Sequence, residues 1–131
     1  PAKVINSYIK KNSLINIDDI GFKKQYEIFN KLKKNKINYT VINADMILKD
    51  PSKAIKKLCK ILNIKYTKKM MNWPKGKRSS DGIWSKVWYK NVENSNSFSK
   101  FKKDKFNIPK KYNKIYEESV KYYNEMNQHS I

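Results

Sequence analysis

The chain has 131 residues, with 30 Lys+Arg against 11 Asp+Glu and a formal net charge of +19. At 39% hydrophobic and 13% aromatic it can bury a core, which excludes wholesale disorder, and its length is that of one domain or a piece of one. One cysteine excludes an internal disulfide framework and fits a reducing, cytoplasmic compartment, and no apolar run approaches the ~20 residues of a membrane span.

Val4, Ile5, Tyr8 and Ile9 recur at helical spacing and predict a first helix ending near Asn12. Asp18 or Asp19 is placed to cap a second helix whose apolar face is Phe22, Tyr26, Phe29 and Leu32. Tyr39-Thr40-Val41-Ile42 is β-branched and aromatic, which predicts a short strand near 39–43. Asp50-Pro51 supplies a cap and a proline for the first helical position. Ala54, Ile55, Leu58 and Leu62 then form one stripe with Cys59 beside it, and Asn63 suits a left-handed helix end. Thr67 starts a short turn through Met70 and Met71. Residues 74–82 read as loop, and Ile83–Val92 fits either a helix or an ordered aromatic loop. Pro109 opens a final helix with an inner face of Tyr112, Ile115, Tyr116, Ser119, Tyr123 and Met126. The expectation is a mostly helical chain with a lone strand. A lone strand cannot satisfy its backbone groups, so its partners are expected outside this chain, or the segment is not a strand.

The charge invites a nucleic-acid reading, because lysines gain affinity for phosphate polymers by releasing counterions. The residue types argue against it. Arg78 is the one arginine, leaving 29 lysines, whereas nucleic-acid interfaces lean on forked guanidinium contacts. Lys, Asn and Ile are abundant, Gly and Pro scarce, the pattern of AT-rich codons on a solvated surface. Exceptions to that bias are therefore informative. All three tryptophans (Trp73, Trp84, Trp88), Gly76, Gly82 and Arg78 fall in the stretch Trp73–Tyr89.

Metal or nucleophile chemistry has little to rest on. Cys59 and His129 lie far apart, and the acids show no ligand spacing. Cys59 reads as packing, His129 as a frayed terminal residue and Asp18-Asp19 as a helix cap. Neither a G-x-x-x-x-G-K phosphate loop nor a serine nucleophile elbow occurs. In the tryptophan stretch, Lys75, Lys77 and Arg78 surround Gly76, which lets backbone come close to a ligand. Ammonium groups and a guanidinium suit a phosphate monoester. Trp84, Trp88 and Tyr89 could stack on a base or pack the loop down. A surface loop pinned by tryptophans explains the same residues.

Taken in order, these pieces resemble the sulfotransferase family, and more closely its bacterial sulfotransferase-like branch. P-x-x-V-x-x-S-Y (Pro1, Val4, Ser7, Tyr8) is similar to the second half of that family's 3′-phosphate motif. A-D-M-I-L-K-D-P (Ala44–Pro51) resembles its strand-end acid and following D-P, and L-C-K-I-L-N-I (Leu58–Ile64) is similar to its L-C-x-x-L-G-I. W-P-K-G-K-R-x-x-D-G-x-W-x-x-x-W-Y resembles its loop that returns to the 3′-phosphate, and V-x-x-S-x-x-F (Val92–Phe98) follows.

The resemblance implies a P-loop-type three-layer α/β sulfotransferase fold, of which residues 1–131 are a single partial domain, the C-terminal, mostly helical half. The implied cofactor is 3′-phosphoadenosine-5′-phosphosulfate, and the implied reaction is sulfuryl transfer to a hydroxyl or amine of a small-molecule acceptor. Ser7, Lys75, Gly76, Lys77 and Arg78 would bind its 3′-phosphate, with Trp73, Trp84, Trp88 and Tyr89 anchoring the loop. The implied arginine before Pro1, the 5′-phosphosulfate loop and the catalytic base lie outside this chain, so no catalytic residue is expected within it. The adenine-stacking tyrosine of many relatives is replaced around Asn43-Ala44, and Lys86 stands where close relatives carry histidine. The alternative is a lysine-rich, non-enzymatic nucleic-acid-binding module.

Overall fold

Helices dominate the computed structural model, which describes residues 1–11, 16–103 and 105–131. In chain order they are α1 (Ala2–Lys10), α2 (Phe22–Lys34), α3 (Ala44–Lys49), α4 (Pro51–Ile61), α5 (Ser85–Trp88), α6 (Lys90–Glu93) and α7 (Asn113–Asn127). Single 3-10 turns lie at Ile17–Ile20, Lys68–Met71 and Lys110–Tyr112. The chain divides into two compact units, residues 1–43 with 103–131, and residues 44–102.

The first unit holds the core. The apolar face of α1 buries Ile5 completely, together with Ile20 and Phe22, and Val4, Tyr8, Ile115, Tyr116 and Met126 pack around them. Helix α1 stops at Lys10, and the expected end at Asn12 lies outside the described residues. Asp18 and Asp19 do not cap α2, a correction to the sequence expectation. Asn16 accepts a hydrogen bond from the Asp18 amide at 2.9 Å, and the Asp19 carboxylate accepts from the Asn16 amide at 2.8 Å. This capping box belongs to the 3-10 turn Ile17–Ile20. Gly21 then turns left-handed at φ 71° and breaks the path before α2 begins.

Phe22, Tyr26, Phe29 and Leu32 form the inner face of α2, which packs along α7. Tyr26 stacks on Tyr122 at 5.1 Å between ring centroids, and its hydroxyl donates to Glu125. On α7 the expected face is turned inward, and Ser119 is fully buried. Its hydroxyl donates to the Ile115 carbonyl at 2.6 Å, so this buried polar group is not stranded. Pro109 starts the 3-10 turn Lys110–Tyr112, which leads into α7.

The strand expected near 39–43 is also corrected. Among the described residues it is reduced to one parallel bridge between Val41 and Ser130, with the Ile131 amide donating to the Val41 carbonyl at 3.1 Å. Its partner thus lies within the chain, at the far end of the sequence. Asn43 fixes the segment further, donating to Tyr123 at 2.9 Å and to Asn127 at 2.8 Å. His129 is not frayed. Its ring sits 5.1 Å from Phe29 and 6.4 Å from Tyr39, held by aromatic contacts.

The second unit follows its caps. Asp50 accepts from the Lys53 amide at 3.0 Å, and Pro51 begins α4, where a missing N–H costs nothing. Asn63 takes φ 53°, and the Ile64 amide closes onto the Cys59 carbonyl at 2.8 Å. Cys59 is buried, 3.7 Å from the Met70 sulfur on the turn Lys68–Met71, which matches its expected packing role. Leu62 leaves the expected stripe and is 52% exposed, because the chain turns away at Asn63. No helix among the described residues is long and apolar enough to cross a membrane.

Candidate phosphate-binding loop

Gly76 has φ 108°, a conformation side chains resist, while a Cβ added there would meet no atom within 4 Å. Glycine is therefore required by backbone shape and not by crowding. That shape sends the chain out at Lys75, Lys77 and Arg78, which are all exposed. No carboxylate among the described residues forms an ion pair with any of the three side chains, and the ion pairs Lys23–Asp18 and Lys24–Glu27 lie in the other unit.

The excursion is stapled at its neck. Asn72 bridges Ser97 antiparallel, the Trp73 amide donates to the Asn96 carbonyl at 2.9 Å, and the Gly76 amide donates to the Glu93 carbonyl at 2.8 Å. The Trp73 indole N–H donates to Ser95 Oγ at 3.1 Å, and its ring meets Phe98 edge-on at 5.2 Å. Ser95 and Phe98 belong to the V-x-x-S-x-x-F motif. Their anchoring role is not among the sequence expectations, and its one sequence signal is their spacing behind Trp73. Asp81 accepts from the Arg78 amide at 2.9 Å and returns its own amide to the Arg78 carbonyl at 3.0 Å, closing a turn.

These bonds divide the expected site residues. The amides of Gly76 and Arg78 are engaged within the loop, so they are not free donors for a ligand. The side chains of Lys75, Lys77 and Arg78 are exposed. Trp73 anchors the loop. Trp84, one residue before α5, is 69% exposed and fixes little. Trp88 is half-buried, and Tyr89 joins α5 to α6. The ambiguous stretch Ile83–Val92 is therefore two single-turn helices.

Ser7 lies in the first unit, on α1. Two residues along a helix is a rotation of about 200°, so it stands nearly opposite the buried Ile5 and is exposed. Its hydroxyl makes no hydrogen bond with the described residues. Among those residues no three His, Cys, Asp or Glu side chains cluster as metal ligands.

A family model of the sulfotransferase domain matches residues 1–130. Branched-chain-amino-acid aminotransferase-like protein 1 of Arabidopsis thaliana is 31% identical over 111 residues, which is 85% of this chain and 20% of that protein. Branched-chain-amino-acid aminotransferase-like protein 2 of the same plant is 25% identical over 129 residues, 98% of this chain and 23% of that protein. The chain thus spans about a fifth of the length of these relatives, and no solved structure matches it. The family match runs through α1 with Ser7, the stapled basic loop and α7 alike, and on that continuous coverage the chain belongs to the sulfotransferase-domain family.

Proposed function

We propose that this chain supplies the 3′-phosphate side of a 3′-phosphoadenosine-5′-phosphosulfate site, as one part of a larger three-layer sulfotransferase-like domain. The observation that carries this reading is a hydrogen-bonded neck below a loop that exposes the side chains of Lys75, Lys77 and Arg78, none of them ion-paired with a carboxylate among the described residues. Those side chains fit a phosphate monoester. A guanidinium donates two parallel hydrogen bonds to phosphate oxygens, and the two ammonium groups add charge from flexible stems. The loop amides contribute less than the family resemblance implies, because Gly76 and Arg78 already spend theirs. Gly76 then acts by shape, aiming its neighbours outward. Ser7 carries a separate assignment, donating its exposed hydroxyl to phosphate.

The cofactor, when bound, supplies the transferable sulfuryl group. The residues of this chain bind and orient it, and the groups that neutralise the transferring sulfuryl and activate a hydroxyl or amine acceptor lie elsewhere in the intact protein. Calorimetric titration with adenosine 3′,5′-bisphosphate tests the assignment. Arg78→Ala is expected to weaken binding roughly ten- to a hundredfold, the scale of one charge-assisted hydrogen bond, while Lys114→Ala on α7 leaves it unchanged. Full affinity in Arg78→Ala would remove the phosphate role from this loop.

A further inference from the structure

The turn that carries α5 is inverted with respect to water. Ser85 and Trp88 are half-buried, while Ile83, Trp84 and Val87 are 80%, 69% and 55% exposed. The backbone explains the split. The Ser85 amide donates to the Gly82 carbonyl at 2.9 Å, and the Val87 and Trp88 amides donate to the Trp84 carbonyl at 3.1 and 3.0 Å. Residues 83–88 therefore follow one helical path. At about 100° per residue, Ser85 and Trp88 share the inner side, and Ile83, Val87 and Trp84 fall within an arc of about 100° on the outer one. Large apolar side chains gain most by leaving water, so three that share an exposed arc mark an interaction surface.

Charge specifies the partner. Between Asp50 and Asp81 the sequence carries ten cations and no acid, and Lys86 and Lys90 are the only charged residues from Gly82 to Val92. The acids at the two flanks are occupied or withdrawn. Asp81 spends its carboxylate on the Arg78 amide at 2.9 Å, and Glu93 is half-buried. Lys86 is exposed on the same turn, about 60° from Ile83, and the exposed Lys90 opens α6. We infer that the turn Ile83–Val87 is a wedge that docks the protein peripherally on an anionic bilayer. Ile83, Trp84 and Val87 enter the boundary between headgroups and acyl chains, and Lys86 and Lys90 meet the lipid anions. An indole suits that boundary, with an apolar body for the acyl side and an N–H for the headgroups. A single protruding turn fits between headgroups, whereas a partner helix is recognised by a groove. A second copy of the chain is a poor occupant, because two bodies of +19 repel. The docking uses neither the cofactor nor the Arg78 side chain, so it stands or falls apart from the phosphate reading.

The test is co-sedimentation of the full chain with vesicles of phosphatidylcholine, with and without phosphatidylserine, at physiological salt. The chain is expected to bind the vesicles that contain phosphatidylserine and to leave pure phosphatidylcholine. Ile83→Ser is expected to lower that partitioning roughly tenfold, the scale of one aliphatic side chain returned to water. Ile28→Ser, a matched change at a 51% exposed site on α2, is expected to leave it unchanged. Both positions are exposed, so neither change empties a core. Brominated acyl chains are expected to quench the tryptophan fluorescence of the unaltered chain and not that of Trp84→Phe, which keeps only Trp73 and Trp88. Partitioning that is identical in Ile83→Ser, with equal quenching in Trp84→Phe, overturns the wedge and leaves plain adsorption of a basic body. No binding to either vesicle also overturns it. A dimer in solution that Ile83→Ser dissolves, without vesicle binding, overturns it in favour of a second copy. Capture of an acidic amphipathic peptide, again without vesicle binding, overturns it in favour of a protein partner.

Discussion

The two units of this chain solve opposite problems. Residues 1–43 with 103–131 hide Ile5, Ile20, Phe22, Phe29 and Ser119, whereas residues 44–102 bury Cys59 as their single such residue among those described. The second unit instead leaves Met46, Ile61, Leu62, Ile64, Ile83, Trp84 and Val87 more than a third exposed. Local bonds substitute there for a core: caps at Asp50 and Asn63, the stapled neck at Trp73 and Gly76, and the closed turn at Arg78. The lesson is that burial holds one unit and backbone pairing the other, and the basic loop sits on the second kind of support.

Mutations in the two units put this contrast to the test. Ile5→Ala empties a fully buried site and is expected to cost about 2–5 kcal/mol by denaturant unfolding. Its counterpart Cys59→Ala removes one sulfur and is expected to cost about 1 kcal/mol. Equal losses would break the contrast. Asp50→Ala removes the α4 cap, also for about 1 kcal/mol, and thermal unfolding should register it. Trp73→Phe keeps a ring against Phe98 and deletes the N–H to Ser95. We expect about 1 kcal/mol or less, felt locally as faster hydrogen exchange at the Gly76 amide and not at Ile5. Uniform acceleration would mean that the neck and the core open together.

The smallest expected effect is electrostatic. Tyr122 has its phenol pKa raised, first by the hydrogen bond to the Glu118 carboxylate at 3.0 Å, then by burial and the charges of Glu118 and Glu27. The folded state therefore keeps the proton longer than the unfolded state does. The associated stability is intact below the ordinary phenol value of about 10 and is lost as pH rises through the raised folded value. Glu118→Gln should lower the Tyr122 midpoint towards that ordinary value, as followed by the ring resonances in an NMR titration.

Much of this arrangement is legible in the sequence where the cause is local. Asp50-Pro51, Asn63 and the face of α7 each state their conformation within a few residues, and each forms as read. Residues 39–42 mislead because strand propensity reports fit to a sheet, and here, among the described residues, the backbone pairs only with Ser130 and Ile131. The capping box at Asn16 escapes because two adjacent acids draw attention away from the asparagine before them. For the loop, composition finds the segment and its cations. It cannot show that the Gly76 amide is spent on Glu93, since that bond joins residues far apart in sequence.

The neck between Asn72–Gly76 and Glu93–Ser97 has one further consequence, for engineering. Everything between its two sides is an excursion whose ends are already joined. Lengthening such a segment adds little closure entropy, roughly 0.6 kcal/mol for each doubling. The junction of Asp81 and Gly82, between two closed turns, is therefore an insertion point, where a foreign segment could be added while Lys75, Lys77 and Arg78 keep their supports. A chain able to vary that segment without refolding could change what its exposed edge meets and still present the same three cations.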